Sequence, residues 1–385
     1  MAGSGFYFDW STYRTMLKLL RTEQPAARRR KLYAAFMIAI PAVAAVHAVC
    51  FALDPLLFPS LRRTEVRRPV FCVGHARSGT TYLHRLMTRD PQFSYVLLYE
   101  MFFPSLLEKR VLRLILRADR RLFGGRLRRR IDAADERAFA ATNDVHRTGL
   151  FAPEEDDFLL TFSLASGAWI VLFPYLDQLD FYHVDRWPQR KRRRVMGFYR
   201  ECVRRQLALN GGGTHLSKNP TFCGRVESLI ETFPDARFIV PVRNPYETVP
   251  SLLKMLQTSW RLHGRNEELI RSSLRALADQ SYHTYTHPLD VLARHSDVRS
   301  CVVDYRELVR HPSETMYRIY RDLDLEMAPE AAEAFDAADG QTHESTHRYN
   351  LEEFGLDRDD IRTRLAPLFS EFHWDTDHKE TADAN

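Results

Sequence analysis

"RRPVFCVGHARSGTTYLHRL", residues 67 to 86, decides the fold. A short apolar run, Val70 to Val73, leads into a turn bounded by Gly74 and Gly79, and Thr80 and Thr81 open a helix. A strand that passes through a glycine-bounded turn into a helix has the local plan of a phosphate-binding loop. The amides of Gly79, Thr80 and Thr81 would point at one anionic group, helped by the helix dipole, and the Thr80 hydroxyl can add a donor. Yet Thr80 stands where the nucleotide-triphosphate loops carry lysine, and Arg77 sits inside the turn.

Further along the chain, short apolar runs recur at 70–73, 95–99, 214–218, 237–242 and 300–305, most of them followed by helical periodicity. That alternation predicts an α/β fold, a P-loop-like parallel sheet flanked by helices, with ligands at the carboxyl ends of the strands. The catalytic domain is expected over 69–375, with a mainly helical insert at about 100–213 and a flexible tail at 376–385. Residues 1–31 read as an amphipathic helix, "WSTYRTMLKLLRT", followed by a basic stretch, and 32–58 as a hydrophobic segment.

Ala34 to Leu53 carries no charge apart from His47 when protonated, over about the ~20 residues a membrane crossing needs. A cleaved signal peptide fits poorly, because the run starts far from Met1 behind a charged region. Basic flanks on both sides give no vote on orientation. Three readings stay open: a single span, a shallow monotopic insertion bent at Pro41, or a buried helical hairpin. The basic stretches 109–130 and 186–205 fit solvated helix faces. For 109–130 a membrane-surface contact also fits, since Val111, Leu112, Leu114, Ile115 and Leu116 supply an apolar side. No nucleic-acid partner is expected, as no reading helix or aromatic stacking set accompanies the charge.

With 45% hydrophobic and 12% aromatic residues the chain is that of a folded protein, and its net charge of +5 is mild. Five scattered cysteines without a C-x-x-C pair fit reduced thiols in a cytosol-facing domain, and no metal site is expected.

The second motif is "RNPYETVPS", residues 243–251. Pro245 suits the first turn of a helix, so Arg243 at the strand end and Ser251 about two turns on can face one site. A cation and a hydroxyl there suit a second phosphate. Arg243 also stands where a metal-binding strand would end in aspartate, which argues against hydrolysis of a magnesium-bound nucleotide. The residues therefore ask for a ligand with two anionic ends, one at Arg77–Thr81 and one at Arg243 and Ser251.

"FCVGHARSGTTYLHRL", "LSKNPTFCGRVESLIETFPDARFIVPVRNPYETVPSLL" and "VDYRELVRHP", in that order over about 70–312, resemble the sulfotransferases that use 3′-phosphoadenosine-5′-phosphosulfate (PAPS). The likeness is to the bacterial branch related to the protein-tyrosine and heparan sulfotransferases, which "HESTHRYNLEEFGL" also resembles. The resemblance implies that Arg77, Ser78, Gly79, Thr80 and Thr81 hold the 5′-phosphosulfate and that Arg243 and Ser251 hold the 3′-phosphate. It further implies that Tyr305 lies near the nucleotide, that Lys218 in "SKNP" contacts the transferring group, and that Arg348 in "THRYN" is a late phosphate ligand.

Transfer to a hydroxyl needs a base. Glu100, expected at the end of the 95–99 strand, ranks first, and related tyrosine-modifying enzymes place a glutamate at about this distance past the loop. Glu155, in the acidic cluster "EEDD", ranks second, ahead of His146. The cluster also fits a solvated helix start, Glu100 a strand-end salt bridge, and His146 a structural role; His84 fits a packing residue. The expected function is metal-free, in-line sulfuryl transfer from PAPS to a hydroxyl-bearing acceptor, with Arg77, Lys218 and the helix N-terminus stabilising the charge that grows on the leaving phosphate. The hydrophobic segment points to a lipid, glycolipid, sterol or other apolar acceptor at a membrane surface, with the catalytic domain facing the cytoplasm. A small-molecule kinase and a non-catalytic nucleotide- or anionic-lipid-binding protein are the alternatives.

Overall fold

The computed structural model describes residues 5–22, 27–139, 149–339 and 351–374. Five strands, β1 (Val70–Cys72), β2 (Phe93–Ser94), β3 (Thr214–Lys218), β4 (Arg237–Val242) and β5 (Ser300–Asp304), pair in parallel in the order β2-β3-β1-β4-β5. Their side chains alternate between two cores. Phe71, Val73, Phe238 and Val240 pack on one face, and Val70, Cys72, Leu216, Ile239 and Val303 on the other. A sheet buried on both faces explains why β1 and residues 238–242 of β4 read as unbroken apolar runs.

Cys72 lies opposite both Lys218 and Ile239, and Val242 lies opposite Asp304. The carboxyl ends of β3, β1, β4 and β5 are thereby brought to one edge, with the glycine-bounded turn at its middle.

Around this sheet lie α1 (Trp10–Thr22), α2 (Ala27–Leu57), α3 (Thr80–Met87), α4 (Leu98–Met101), α5 (Leu106–Leu122), α6 (Arg126–Phe139) and α7 (Gln189–Asn210). They are followed by α8 (Val226–Thr232), α9 (Pro245–Leu262), α10 (Glu267–Arg294) and α11 (Tyr305–Arg310), then by further helices. The insert carries α4 to α7 and several single 3₁₀ turns.

The 95–99 run departs from expectation. The parallel strand stops at Ser94, and the chain beyond it pairs with the insert instead. The Leu98 and Tyr99 amides donate to the Ala152 and Leu150 carbonyls at 3.0 and 2.9 Å, and Leu97 forms an antiparallel bridge with Pro153. Residues 98–101 then close a helical turn. Glu100 therefore does not end a strand.

Helix α2 lies along the domain rather than apart from it. Tyr33, Met37, Ile40, Ala44, His47, Phe51 and Asp54 form its buried side, recurring at three- and four-residue steps. Asp54 is wholly buried and caps α5, accepting from the Leu106 and Leu107 amides at 2.9 and 2.8 Å and from the Ser105 hydroxyl at 2.9 Å. The buried Arg205 of α7 donates to the same carboxylate at 2.6 Å, its guanidinium 3.3 Å from the Phe51 ring centre.

Removing one member of such a pair strands the other charge in the core. Asp54→Ala is expected to cost about 3–5 kcal/mol of stability. An Asp54→Ala/Arg205→Met double variant should recover part of that loss. Urea denaturation followed by circular dichroism checks both; an Asp54→Ala protein as stable as wild type would refute the anchoring role.

Candidate active site

The site grows from the turn after β1. Gly74 has no room for a side chain, because a Cβ there would lie 2.4 Å from the Pro241 carbonyl oxygen of neighbouring β4. Gly79 is constrained twice: its φ is +83°, and a Cβ would lie 2.4 Å from the Tyr305 ring. Helix α3 starts at Thr80, so the first-turn amides at Thr80 and Thr81 have no acceptor within their own helix. Ser78 and Thr80 are buried, Ser78 beside the Tyr285 hydroxyl. His75 stacks on the Tyr285 ring at 4.6 Å, and burial pushes its imidazole down to about 4, so it is neutral.

Arg77 adopts a left-handed backbone with φ of 73°. Its Nε donates to the Ser251 hydroxyl at 3.1 Å. The two ends of the site, treated as separate in sequence, are thus in direct contact through these side chains. Ser251 is buried in α9, whose start is fixed by Asn244 accepting from the Tyr246 amide at 3.0 Å. Arg243 lies over the Tyr305 ring at 4.2 Å, and its Nε donates to Glu247 at 2.7 Å. The Tyr285 hydroxyl holds the Arg243 carbonyl at 2.7 Å.

Lys218, at the end of β3, is buried and donates to Glu155 at 3.3 Å and Glu154 at 3.4 Å. Burial alone would lower its pKa, but the Glu155 and Glu154 charges outweigh that and raise it, so Lys218 is a cation. His84 lies beside it; burial and the lysine charge push its imidazole down to about 3, as suits a neutral packing residue.

The "EEDD" cluster divides by role. Asp156 is buried and accepts from the Ser217 hydroxyl at 2.8 Å, from Tyr199, and from the Asn219 amide at 3.4 Å, with His215 Nε2 at 3.1 Å. Asp157 is buried beside Arg225 at 3.5 Å and accepts from the Ser166 hydroxyl at 2.5 Å. Glu154 and Glu155 alone reach Lys218. Sequence reasoning missed Glu154, and the only signal for it was membership of the cluster.

Glu100 has a different setting. It is wholly buried and accepts from Arg113 at 2.7 and 3.0 Å, from Gln206 at 2.8 Å and from Tyr99 at 3.1 Å. Both carboxylate oxygens are committed to the interface between α4, α5 and α7. His146 and Arg348 lie outside the described residues. Among the described residues no cluster of histidine, cysteine and acidic side chains has metal-holding geometry.

Residues 69–329 match the profile of the Sulfotransferase family. The chain belongs to that family. Among curated proteins it is 28% identical, over 273 residues, to the omega-hydroxy-beta-dihydromenaquinone-9 sulfotransferase Stf3 of Mycobacterium tuberculosis and of Mycobacterium bovis. That match takes in 67% of this chain and 63% of the relative, so the chain spans somewhat less than two thirds of the length of these relatives. Among solved structures, sulfotransferase STF9 from Mycobacterium avium superposes with a TM-score of 0.73 at 21% identity, covering 94% of this chain and 92% of that one. Sulfotransferase STF1 from Mycobacterium tuberculosis gives a TM-score of 0.65 at 20% identity, covering 94% of each chain. These likenesses bear on the fold alone.

The Glu100 setting has a pH consequence. Burial by itself would raise its carboxyl pKa, but Lys109 and Arg113 outweigh burial and hold it below its ordinary value of 4.5. The stability it contributes is therefore fully present above about pH 4.5 and is lost as pH falls through the lower folded value. Glu100→Gln should cost about 1–3 kcal/mol near neutrality. The gap from wild type should shrink in acid. Urea midpoints at about pH 7 and about pH 4 test this; a pH-independent gap would contradict it.

Proposed function

We propose that this sulfotransferase moves a sulfuryl group from PAPS to the hydroxyl of a lipid acceptor, with Glu155 as the base. The observation that carries the reading is the Lys218 cation, held at the strand edge beside the phosphate-type turn by two carboxylates, one of them partly exposed. The donor fits the chemistry of this edge. The first turn of α3 with Thr80 and Thr81 suits a 5′-phosphosulfate. Arg243, Ser251 and the Tyr305 ring suit a 3′-phosphorylated nucleoside. PAPS supplies an activated sulfuryl group on a phosphate leaving group.

Arg77 contacts Ser251, so in this reading it serves the 3′ end as well as the turn, which leaves Lys218 as the cation for the reacting centre. A phosphosulfate at the turn would compete with Glu154 and Glu155 for Lys218. As Lys218 turns to the leaving phosphate, Glu155 gives up its ammonium partner and becomes free to accept a proton. The acceptor oxygen then bonds to sulfur in line as the bond from sulfur to the 5′-phosphate oxygen breaks. The acceptor proton passes to Glu155, and Lys218 with the α3 amides neutralises the charge growing on the nucleotide. Glu100, buried and bound on both oxygens, serves as a packing anchor in this reading.

A lipid acceptor is supported by the named substrate class of the mycobacterial relatives, a hydroxylated menaquinone derivative, and by the apolar α2. With PAPS as donor, its supply favours a catalytic domain that faces the cytoplasm.

Two measurements test the reading. Calorimetry should show tight binding of adenosine 3′,5′-bisphosphate without magnesium, weakened about 10- to 100-fold by Arg243→Ala. Magnesium-dependent ATP binding instead would favour a kinase. In transfer assays with labelled PAPS and a hydroxylated prenylquinone, Lys218→Ala should abolish turnover, and Glu155→Gln should lower kcat by roughly 10²–10⁴-fold. Near-normal turnover in Glu155→Gln with a large loss in Glu100→Gln would return the base to Glu100.

A further inference from the structure

Helix α2 shows two unlike sides. Between Tyr33 and Leu57 the only side chains able to carry charge near neutrality are His47 and Asp54. Both are on the docked side, buried and paired, His47 with Glu108 and Asp54 with Arg205, each at 2.6 Å. The outer side is apolar along its length, with Ile38 73% and Leu56 69% exposed and Val46 and Val49 between them.

Helix α5 packs against α2 and repeats the arrangement. Leu106 and Lys109 point inward, whereas Val111, Leu114, Ile115 and Leu122 recur at helical spacing and are exposed, Leu122 to 74%. An amphipathic surface helix ordinarily turns such a stripe to the core; α5 turns it outward. Beside the stripe, a cavity of about 500 Å³ between α5 and α6 is lined by Ile115, Phe123 and Leu127 and by Arg126 and Arg130. Exposed arginines, Arg110, Arg117, Arg120 and Arg121, stand along the same helix.

Two adjoining helices with outward apolar faces exceed what scattered surface residues explain. The arginines decide the partner, because an apolar face with a guanidinium fringe complements acyl chains beneath anionic headgroups. A crossing helix would have to leave the domain and carry His47 and Asp54 into hydrocarbon, away from Glu108 and Arg205. We propose that α2 and α5 form one docking face on which the enzyme lies against an anionic bilayer, with α2 in the plane of the surface instead of across it. This stands whether or not the acceptor is a lipid.

The test is flotation of the full chain with vesicles of phosphatidylcholine alone and with about one phosphatidylglycerol in three lipids. The expected result is binding to the anionic vesicles that weakens with salt and is released by alkaline carbonate. Ile38→Glu and the Leu114→Glu/Leu122→Glu pair should abolish flotation while circular dichroism and bisphosphate binding stay as in wild type. Each removal of Arg117 or Arg121 should weaken partitioning roughly fivefold. Resistance to carbonate would overturn the proposal in favour of a span. So would equal binding to both vesicle types, or binding unmoved by the glutamate variants. Failure to bind any vesicle, with a dimer in solution that Ile38→Glu splits, would assign the face to a second copy of the chain.

Discussion

The Asp156 carboxylate sits where the insert meets the sheet, and the site's geometry depends on it. It gathers Tyr199 from α7 and His215, Ser217 and Asn219 from β3 and the residue just beyond it. Burial would raise its pKa, but these partners outweigh that and hold the carboxyl below its ordinary value, so it is an anion in the core. The bonds pin the segment after Pro153 against the end of β3. Glu154 and Glu155, the two residues before Asp156, are consequently delivered to Lys218, the last residue of β3. A buried polar network of this kind fixes one arrangement, because an alternative packing would leave several desolvated groups without partners.

The same logic extends along α7. Tyr199 holds Asp156, Arg205 holds Asp54 of α2, and Gln206 holds Glu100 of α4 while accepting from Lys109 of α5 at 2.7 Å. These three side chains lie at steps of six and one along a single helix. They explain why α7, so basic in sequence, buries a polar stripe: the charges that appear as a solvated face at Arg190, Arg193 and Arg200 give way, within the same helix, to charges that are paired in the core.

What was legible in the sequence was local. The Gly74–Gly79 turn, the parallel sheet and the start of α9 at Pro245 each rest on backbone chemistry that a short window displays. The contact between Arg77 and Ser251 was not visible, because it depends on the β1–β4 register bringing two turns together. The position of Glu100 at a strand end was misread for a physical reason: an apolar run such as 95–99 has the same β-propensity whether it extends the sheet or pairs with an insert. The four acids at 154–157 look alike as a string. Only their tertiary partners separate two structural aspartates from the two glutamates at the lysine. The apolar segment left three readings open because a span and a half-docked helix share length and composition; the placement of His47 and Asp54 on one buried side, which the sequence alone does not display, is what the docking proposal rests on.

That placement ties the outer face of the enzyme to its chemistry. Asp54 caps α5 and holds α7, and α7 in turn holds the acidic segment that supplies Glu155. Each link is a buried ion pair or charge-assisted hydrogen bond, so none can slide without leaving a charge unpaired in the core. The outward faces of α2 and α5 therefore keep a fixed orientation relative to Lys218 and Glu155. In the docking proposed above, a bilayer against α2 and α5 would also set the height and angle at which the strand edge meets a hydroxyl presented from that surface. For an acceptor confined to a plane, such fixed presentation replaces part of the orientational search with geometry already built into the fold.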